Sequence, residues 1–208
     1  MSQLVIETIR EVSDRFPNRK RWTRDDCTFL ERVGFTPECY ELIDGEIISK
    51  MGQNRPHIMA ISRVFAWLIA VFGVEFVQTQ GDVEVTQSDQ TFNHPQPDLA
   101  VLTQPDYSFG NEELKGTDLR LVVEVSDSTL RGDLNTKAAL YARAGIPEYW
   151  VLDVSSRRLF VHRSPINGTY TMVEWYSDAE SVSPEASPEN SVPIANLLPP
   201  VPAIPAEA

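Results

Sequence analysis

The chain has 208 residues, of which 42% are hydrophobic and 23% are charged, so it can bury the core of one domain without disulfide bonds. Its net charge of −12 disfavours loose electrostatic binding along nucleic acid, although it leaves room for a local basic groove. The longest apolar run, 65–74, is too short for a membrane span of about 20 residues, and the charged N-terminal sequence lacks the pattern of a signal peptide, so we expect a cytoplasmic protein without membrane contact.

The composition divides the chain into a central domain and two ends. Residues 1–20 have the pattern of an amphipathic lead-in, and residues 199–208 are rich in proline and alanine, which predicts a flexible tail. Between them, helical and strand patterns alternate. We therefore expect residues 21–198 to form a single domain of the α/β (α+β) class.

The N-terminal part of this domain predicts a helix followed by a β-hairpin. Thr23 and Asp26 have the spacing of a capping box, which would begin a short helix that Gly34 ends. Asp44 and Gly45 then stand between two apolar-rich runs. An Asp-Gly pair in this setting is a strong signal for a hairpin turn.

A longer helix and several strands follow the hairpin. Pro56 suits the first turn of a helix, and apolar residues at helical spacing extend this helix to Phe72. Alternation over 76–86 predicts strand structure, which Gly81-Asp82 would either break into two strands or interrupt with a β-bulge. A further strand is predicted at 98–102, directly after a proline.

The second half of the domain centres on the most apolar strand of the chain. Residues 119–125 contain a Leu-Val-Val run that is typical of a strand buried on both faces. A helix should begin near Gly132 and end at Gly145. The remaining predicted elements are a hairpin over 149–154 and 159–162, a strand at 169–175 and an apolar segment at 192–198 that could dock on the domain.

Two carboxylates give the strongest indication of chemistry. Asp98 begins its strand directly after Pro97, and Glu124 lies between two valines in the most apolar strand. Burying a lone carboxylate there would cost several kcal/mol, so a cation should compensate. The cation could be a metal ion, or Lys137 on the next helix. The simpler alternative is a pair of carboxylates that accept hydrogen bonds at strand ends.

Pro97-Asp98, followed by Glu124-Val125-Ser126, resembles the PD-(D/E)XK nuclease signature. The wider sequence resembles the Uma-two family of restriction-endonuclease-like proteins, of the cyanobacterial type. This resemblance covers roughly residues 21–165. The segments that carry it are YELIDGEI (40–47), PH (56–57), PDLA (97–100), LVVEVSDS (121–128) and DLNTKAALYARAGIPEYWVLD (133–153).

The resemblance implies a restriction-endonuclease-like core with a central mixed β-sheet flanked by helices. It also implies hydrolysis of DNA phosphodiester bonds with Mg²⁺ or Mn²⁺ as cofactor. Asp98 and Glu124 would bind the metal together with the main-chain carbonyl of Val125. Ser126 stands where the general signature has a lysine. Because the family commonly moves that lysine to the following helix, Lys137 would supply its charge and orient the attacking water.

Glu46 and His57 are weaker candidates that occupy matching family positions near the site. The Asp-Gly turn alone explains the sequence around Glu46, and Glu41 is the alternative carboxylate on the same hairpin. His57 stands at a helix N-terminus, where backbone N–H groups favour anions. Tyr141 follows Lys137 by one turn, and we expect it to pack rather than to react.

Two functions remain open from the sequence. The Asp98, Glu124 and Lys137 set favours a metal-dependent DNA endonuclease, and cutting of both strands favours a homodimer with two active sites. The acidic net charge favours a catalytically silent module that binds a metal, nucleic acid or a protein partner. No helix-turn-helix or zinc-finger motif predicts which DNA is recognised.

Overall fold

A computed structural model of the chain describes residues 20–50, 54–110 and 113–201. The predicted lead-in, apart from Lys20, therefore lies outside the described residues, and so does the predicted tail from residue 202 onward. The described residues cover the predicted domain 21–198, apart from 51–53 and 111–112, together with residues 199–201 of the predicted tail.

The described parts of the chain contain four helices and twelve strands, besides short 3₁₀ turns. The helices are α1 (Arg24–Arg32), α2 (Arg55–Phe72), α3 with the consecutive segments Leu130–Gly132, Asp133–Lys137 and Ala138–Arg143, and α4 (Ile194–Leu197). The strands are β1 (Tyr40–Ile43), β2 (Glu46–Ser49), β3 (Val77–Thr79), β4 (Val83–Glu84), β5 (Leu99–Leu102), β6 (Leu114–Lys115), β7 (Leu119–Ser126), β8 (Glu148–Asp153), β9 (Arg158–Ile166), β10 (Thr169–Ser177), β11 (Ser181–Val182) and β12 (Val192–Pro193).

The central sheet has six strands in the order β10-β9-β8-β7-β5-β3. Neighbouring strands are antiparallel except β7 and β8, which are parallel and are connected through α3. A parallel pair needs such a crossover, because a tight turn can join only antiparallel strands. The mixed sheet with flanking helices confirms the predicted fold class.

Strand β7 is buried on both faces, which explains its continuous apolar sequence. Leu121 and Val123 pack in the core layer that contains α2, whereas Val122 packs in the layer that contains α3. By the two-residue period of a strand, Glu124 shares the α3 face with Val122. The alternation thus points this carboxylate at the helix that carries Lys137.

Helix α2 has the bounds that its sequence predicts. The side chain of Asn54 caps its N-terminus, and Gly73, with a φ of 96°, follows its last residue. By length and composition, α2 alone among the described residues could span a membrane, but a core helix passes the same test. Its buried face, with Ala60 and Leu68, belongs to the hydrophobic core beneath the sheet.

The N-terminal helix and hairpin also confirm their predictions. Both parts of the Thr23–Asp26 capping box are present at the start of α1. In the turn between β1 and β2, Asp44 and Gly45 have φ angles of 50° and 79°, as a type I′ turn requires. The inner face of this hairpin contacts α3 through Ile43, which packs with Leu140.

The start of α3 differs from its prediction, and residues 76–86 adopt one of the two alternatives that the sequence left open. Helix α3 begins at Leu130 rather than near Gly132, because Gly132 adopts ordinary helical angles and does not interrupt the turn. The run 76–86 forms two short strands, β3 and β4, which belong to different sheets. Gln80 between them has a φ of 51°, which breaks the extended backbone.

The apolar segment near the C-terminus docks as its composition predicts. Ile194, Leu197 and Leu198 are buried in the core layer that contains α2. Pro199, the first residue of the predicted tail, accepts a hydrogen bond from Arg157 at 2.9 Å. The anchored part of the chain therefore extends into the first residue of that tail.

Candidate active site

A polar cleft of about 190 Å³ lies where the hairpin, α2 and α3 meet one end of the central sheet. Strands β5 and β7 are antiparallel, so the start of β5 lies beside the end of β7 and brings Asp98 close to Glu124. The charged and polar lining includes Glu41, Lys50, Asn54, His57, Asp98, Glu124, Asp127, Asp133 and Lys137.

The two carboxylate oxygens of Asp98 have different partners. Oδ2 accepts a hydrogen bond from the main-chain N–H of Val125 at 2.9 Å. Oδ1 accepts no well-aligned hydrogen bond within the described residues, but it lies 3.0 Å from the Nζ of Lys50. Asp98 is only 3% exposed, so this ion pair lies inside the protein.

The two carboxylate oxygens of Glu124 also have different partners. Oε1 accepts hydrogen bonds from Lys137 Nζ and from the hydroxyl of Tyr141, both at 2.9 Å. Oε2 lies 3.9 Å from the Nζ of Lys50. Burial raises the pKa of Glu124 above its usual range, although Lys137 and Lys50 act in the opposite direction. Tyr141 therefore contacts the site directly and does more than pack.

Lys137 is buried, and its ammonium group lies close to three carboxylates. Its Nζ lies 2.7 Å from Glu41 Oε1, 2.9 Å from Glu124 Oε1 and 3.7 Å from Asp133 Oδ1. Burial would lower the pKa of Lys137, but the three carboxylates outweigh it and hold the pKa above its usual value. Lys137 stands in the π-helical segment Asp133–Lys137 of α3, a geometry often found at functional sites.

Lys50 is a site residue that the sequence analysis missed. It follows β2, its side chain is 8% exposed, and its ammonium also donates to the main-chain carbonyl of Gln96. The hairpin pairs Glu41 with Ile48. The two-residue period from Ile48 therefore places Lys50 on the same inner face as Glu41, and this is the signal that could have found it.

The structure does not bring Glu46 to the cleft. The register pairs Glu46 with Ile43 next to the turn, and its side chain is exposed. Glu41, the alternative carboxylate on the same hairpin, is buried and contacts Lys137 instead. His57 does line the cleft, where its main-chain N–H donates to the Asn54 side chain.

The buried acidic groups of the site outnumber its buried ammonium groups. Four carboxylates, on Glu41, Asp98, Glu124 and Asp133, surround two ammonium groups, on Lys50 and Lys137, and all four acids are at most 4% exposed. The described residues contain no group of three or more His, Cys, Asp or Glu side chains arranged to hold a metal ion. Any metal would thus rely on two carboxylates together with main-chain or solvent oxygens.

Comparison with known proteins gives the family of the chain. Residues 29–195 match the family model of Uma2, described as "Putative restriction endonuclease". The chain belongs to the Uma2 family. This confirms the Uma-two resemblance drawn from the sequence, and the match includes all the charged side chains of the cleft.

A solved structure shows the same fold as this Uma2 chain. It is described as a putative nuclease belonging to DUF820 from Anabaena variabilis, and it matches with a TM-score of 0.59. The match covers 81% of this chain and 96% of the other, at 17% sequence identity, which supports a shared fold rather than a shared substrate. The search of curated proteins found no match.

Proposed function

We propose that this Uma2 chain is a divalent-metal-dependent endonuclease that hydrolyses phosphodiester bonds of DNA. The observation that carries the proposal is the convergence of Asp98 and Glu124 on one cation. Each has one oxygen held by hydrogen bonds of the fold and a second oxygen facing the same ammonium. Two carboxylates that the fold holds in place around one positive charge suit a metal-binding role.

The donor atoms suit Mg²⁺ or Mn²⁺. Both ions prefer oxygen ligands, and Asp98 Oδ1 and Glu124 Oε2 are carboxylate oxygens that face the Lys50 ammonium. The Val125 N–H points toward Asp98, and the carbonyl of a strand residue points to the same side as its N–H. The Val125 carbonyl is therefore a suitable third donor, so the residues fit the proposed metal.

The residues around the pair would prepare it for hydrolysis. A bound divalent ion would polarise the scissile phosphate and lower the pKa of a water molecule. Lys137 and Tyr141 fix the orientation of Glu124, and Lys137 supplies the positive charge that Ser126 lacks. His57 and the N-terminus of α2 face the cleft, where they would meet a phosphate group of the substrate.

A plasmid-cleavage assay tests this function. We expect cleavage with Mg²⁺ or Mn²⁺, none in EDTA, and at least a hundredfold loss in Asp98→Asn and Glu124→Gln. Glu46→Gln is the matched control, because Glu46 is on the same hairpin but outside the cleft, and it should retain the wild-type rate. Cleavage that survives EDTA or both site variants would contradict the proposal.

The alternative is a catalytically silent module of the same fold. Its support is that Lys50 already neutralises both oxygens that a metal would use, in a chain with a net charge of −12. Such a module would bind Mn²⁺ or DNA without cutting. The same assay, combined with a Mn²⁺ titration, separates the two functions.

We further propose that cleavage of duplex DNA requires a homodimer, because two strands of opposite direction are cut by two equivalent sites. Sedimentation of the protein with and without a short DNA duplex would test this. A protein that cuts both strands while it stays monomeric throughout would rule the homodimer out.

A further inference from the structure

We propose that Lys50 is an internal counter-ion that occupies the cation position between Asp98 and Glu124 and is displaced when a divalent metal binds. This inference rests on the proposed metal-dependent function. It assigns Lys50 a role different from that of Lys137, although both lysines contact the same carboxylate pair.

The contacts of Lys50 are those of a cation in an oxygen site. Its Nζ lies 3.0 Å from Asp98 Oδ1 and 3.9 Å from Glu124 Oε2, and it donates to the carbonyl of Gln96. Three oxygens from two segments of the chain, 96–98 and β7, therefore lie around one positive charge. The two carboxylate oxygens are those left over by the hydrogen bonds of Val125, Lys137 and Tyr141.

Lys137 cannot be the competing cation, because it contacts the other oxygen of Glu124. Its Nζ is bound to Glu124 Oε1 and Glu41 Oε1, on the side of helix α3. Removing Lys137 would take away a hydrogen bond that orients Glu124. Removing Lys50 would free the carboxylate oxygens of Asp98 and Glu124 that face the cleft. Lys137 thus orients Glu124, whereas Lys50 occupies the cation position between the two carboxylates.

Lys50 is able to leave without disturbing the fold. Its main-chain N–H donates to the Cys39 carbonyl at 2.9 Å, so the hairpin holds the backbone. The four-carbon side chain itself lines the cleft, which gives the ammonium a route toward solvent. A metal that enters the cleft must replace Lys50, since two cations cannot share these oxygens without strong repulsion.

Displacement has a thermodynamic consequence. Because the lysine must first leave its two carboxylates, the wild-type protein should bind metal more weakly than a variant without the Lys50 charge. Without metal, the wild type should be more stable than that variant, since Lys50 relieves the repulsion between Asp98 and Glu124. The same lysine therefore stabilises the metal-free state and opposes metal binding.

Titration calorimetry with Mn²⁺ tests the inference. Lys50→Met keeps the length of the side chain and removes its charge, and we expect it to bind Mn²⁺ at least tenfold more tightly than the wild type. Lys50→Arg keeps the charge at the same position and should show no gain. Lys115→Met removes an equal charge from an exposed residue outside the cleft, and it should bind as the wild type does.

Thermal melts give a second readout that does not depend on activity. In EDTA, Lys50→Met should melt at a lower temperature than the wild type, and saturating Mn²⁺ should raise its melting temperature by more. If Lys50→Met fails to fold in EDTA, Lys50→Gln supplies a polar neutral side chain for the same comparison.

The outcomes separate this inference from the proposed function. Equal or weaker Mn²⁺ binding by the neutral Lys50 variants, beside clear binding by the wild type, would overturn the counter-ion role and leave the metal site standing. An equal gain in Mn²⁺ affinity in Lys115→Met would show that the gain comes from the overall charge of the protein. This result would also overturn the counter-ion role of Lys50. If neither the wild type nor the Lys50 variants bind Mn²⁺ in a way that Asp98→Asn abolishes, the metal site itself fails.

Discussion

At the scale of single residues, Glu124 shows how a buried carboxylate can be held by the fold through one oxygen while the other faces a second cation. One of its oxygens is tied to Lys137 and Tyr141, which fixes the side chain in a single orientation. The other oxygen has only a distant ion pair with Lys50. Desolvation of the whole group disfavours its charge, so any cation brought to that second oxygen gains more than it would in water.

Glutamine at position 124 should therefore be tolerated, and alanine should not. Glu124→Gln keeps an acceptor for Lys137 and Tyr141 while it lowers the excess of buried negative charge, so we expect its free energy of unfolding in EDTA to stay within about 1 kcal/mol of the wild type. Glu124→Ala leaves the Lys137 charge and the Tyr141 hydroxyl short of a partner and should cost about 3–5 kcal/mol. Urea denaturation of both variants checks this. Equal losses in the two would mean that charge repulsion in the cleft is negligible.

Lys137 should be required for stability as well as for activity. Its removal would leave Glu41 and Glu124 buried with one partner fewer, and breaking a buried ion pair by removing one member costs about 3–5 kcal/mol. The family resemblance implies that Lys137 supplies a positive charge and orients the attacking water. Because Lys137 orients Glu124, we now expect Lys137→Ala to weaken Mn²⁺ binding too. Wild-type stability in that variant, measured by denaturation, would show that the ion pairs are not formed in solution.

The site was predictable only in part. Asp98, Glu124 and Lys137 stood out because an acid within a valine-rich strand demands a compensating cation, and the family resemblance supplied the rest. Lys50 and the choice of Glu41 over Glu46 depend on how the hairpin docks against the sheet. Local sequence does not encode that contact, although the hairpin register restricts which side chains face inward.

At the scale of elements, local signals fixed the ends of α1 and α2. A capping box and an asparagine cap begin the two helices, and both features are set within a few residues of sequence. The start of α3 lies earlier than the sequence predicts, because Gly132 resembles a boundary residue but adopts helical angles. The π geometry of the following segment, in which Asp133 and Lys137 are buried, has no sequence signal of this kind.

The pairing of β8 and β9 gives rise to a pH-dependent stability. His162 on β9 is buried against Tyr149 and Tyr170, with ring centroids 5.3 and 5.7 Å apart. Burial lowers the pKa of His162 from 6.5 to about 4. As the pH falls, the unfolded chain therefore takes up this proton first, and stability is lost between pH 6.5 and about 4.

His162→Phe should flatten this part of the pH profile, because a phenyl ring fills the same space without a proton to bind. The pKa difference corresponds to a loss on the order of 3 kcal/mol in the wild type across that range. Chemical denaturation at pH 7, 5.5 and 4 measures it. If the variant loses as much stability as the wild type over these values, other groups govern the acid transition.

At the scale of the whole molecule, the sheet separates two core layers, and the chain returns at its end to complete one of them. α4 and its neighbours pack beside α2, far in sequence from the elements they cover. The sequence showed that this segment was apolar but not which layer it would join. The site lies at one end of the sheet between the hairpin, α2 and α3, so the C-terminal segment supports it through the shared sheet and through α2.

The C-terminal segment should therefore be essential for folding, and the residues after it should not. A chain that ends at Val201 keeps the buried side chains of Val192, Ile194, Leu197 and Leu198, as well as the Pro199 carbonyl that Arg157 binds. We expect its melting temperature to equal that of the full chain.

A chain that ends at Asn190 loses all four side chains. Each contributes about 1.5–3 kcal/mol on full burial, so the sum of about 6–12 kcal/mol is comparable to the whole stability of a typical domain of about 5–15 kcal/mol. The shorter chain should be unfolded or aggregated, which circular dichroism and size-exclusion chromatography would reveal. A cooperative melt near the wild-type temperature in that chain would mean that α4 merely rests on the core and does not complete it.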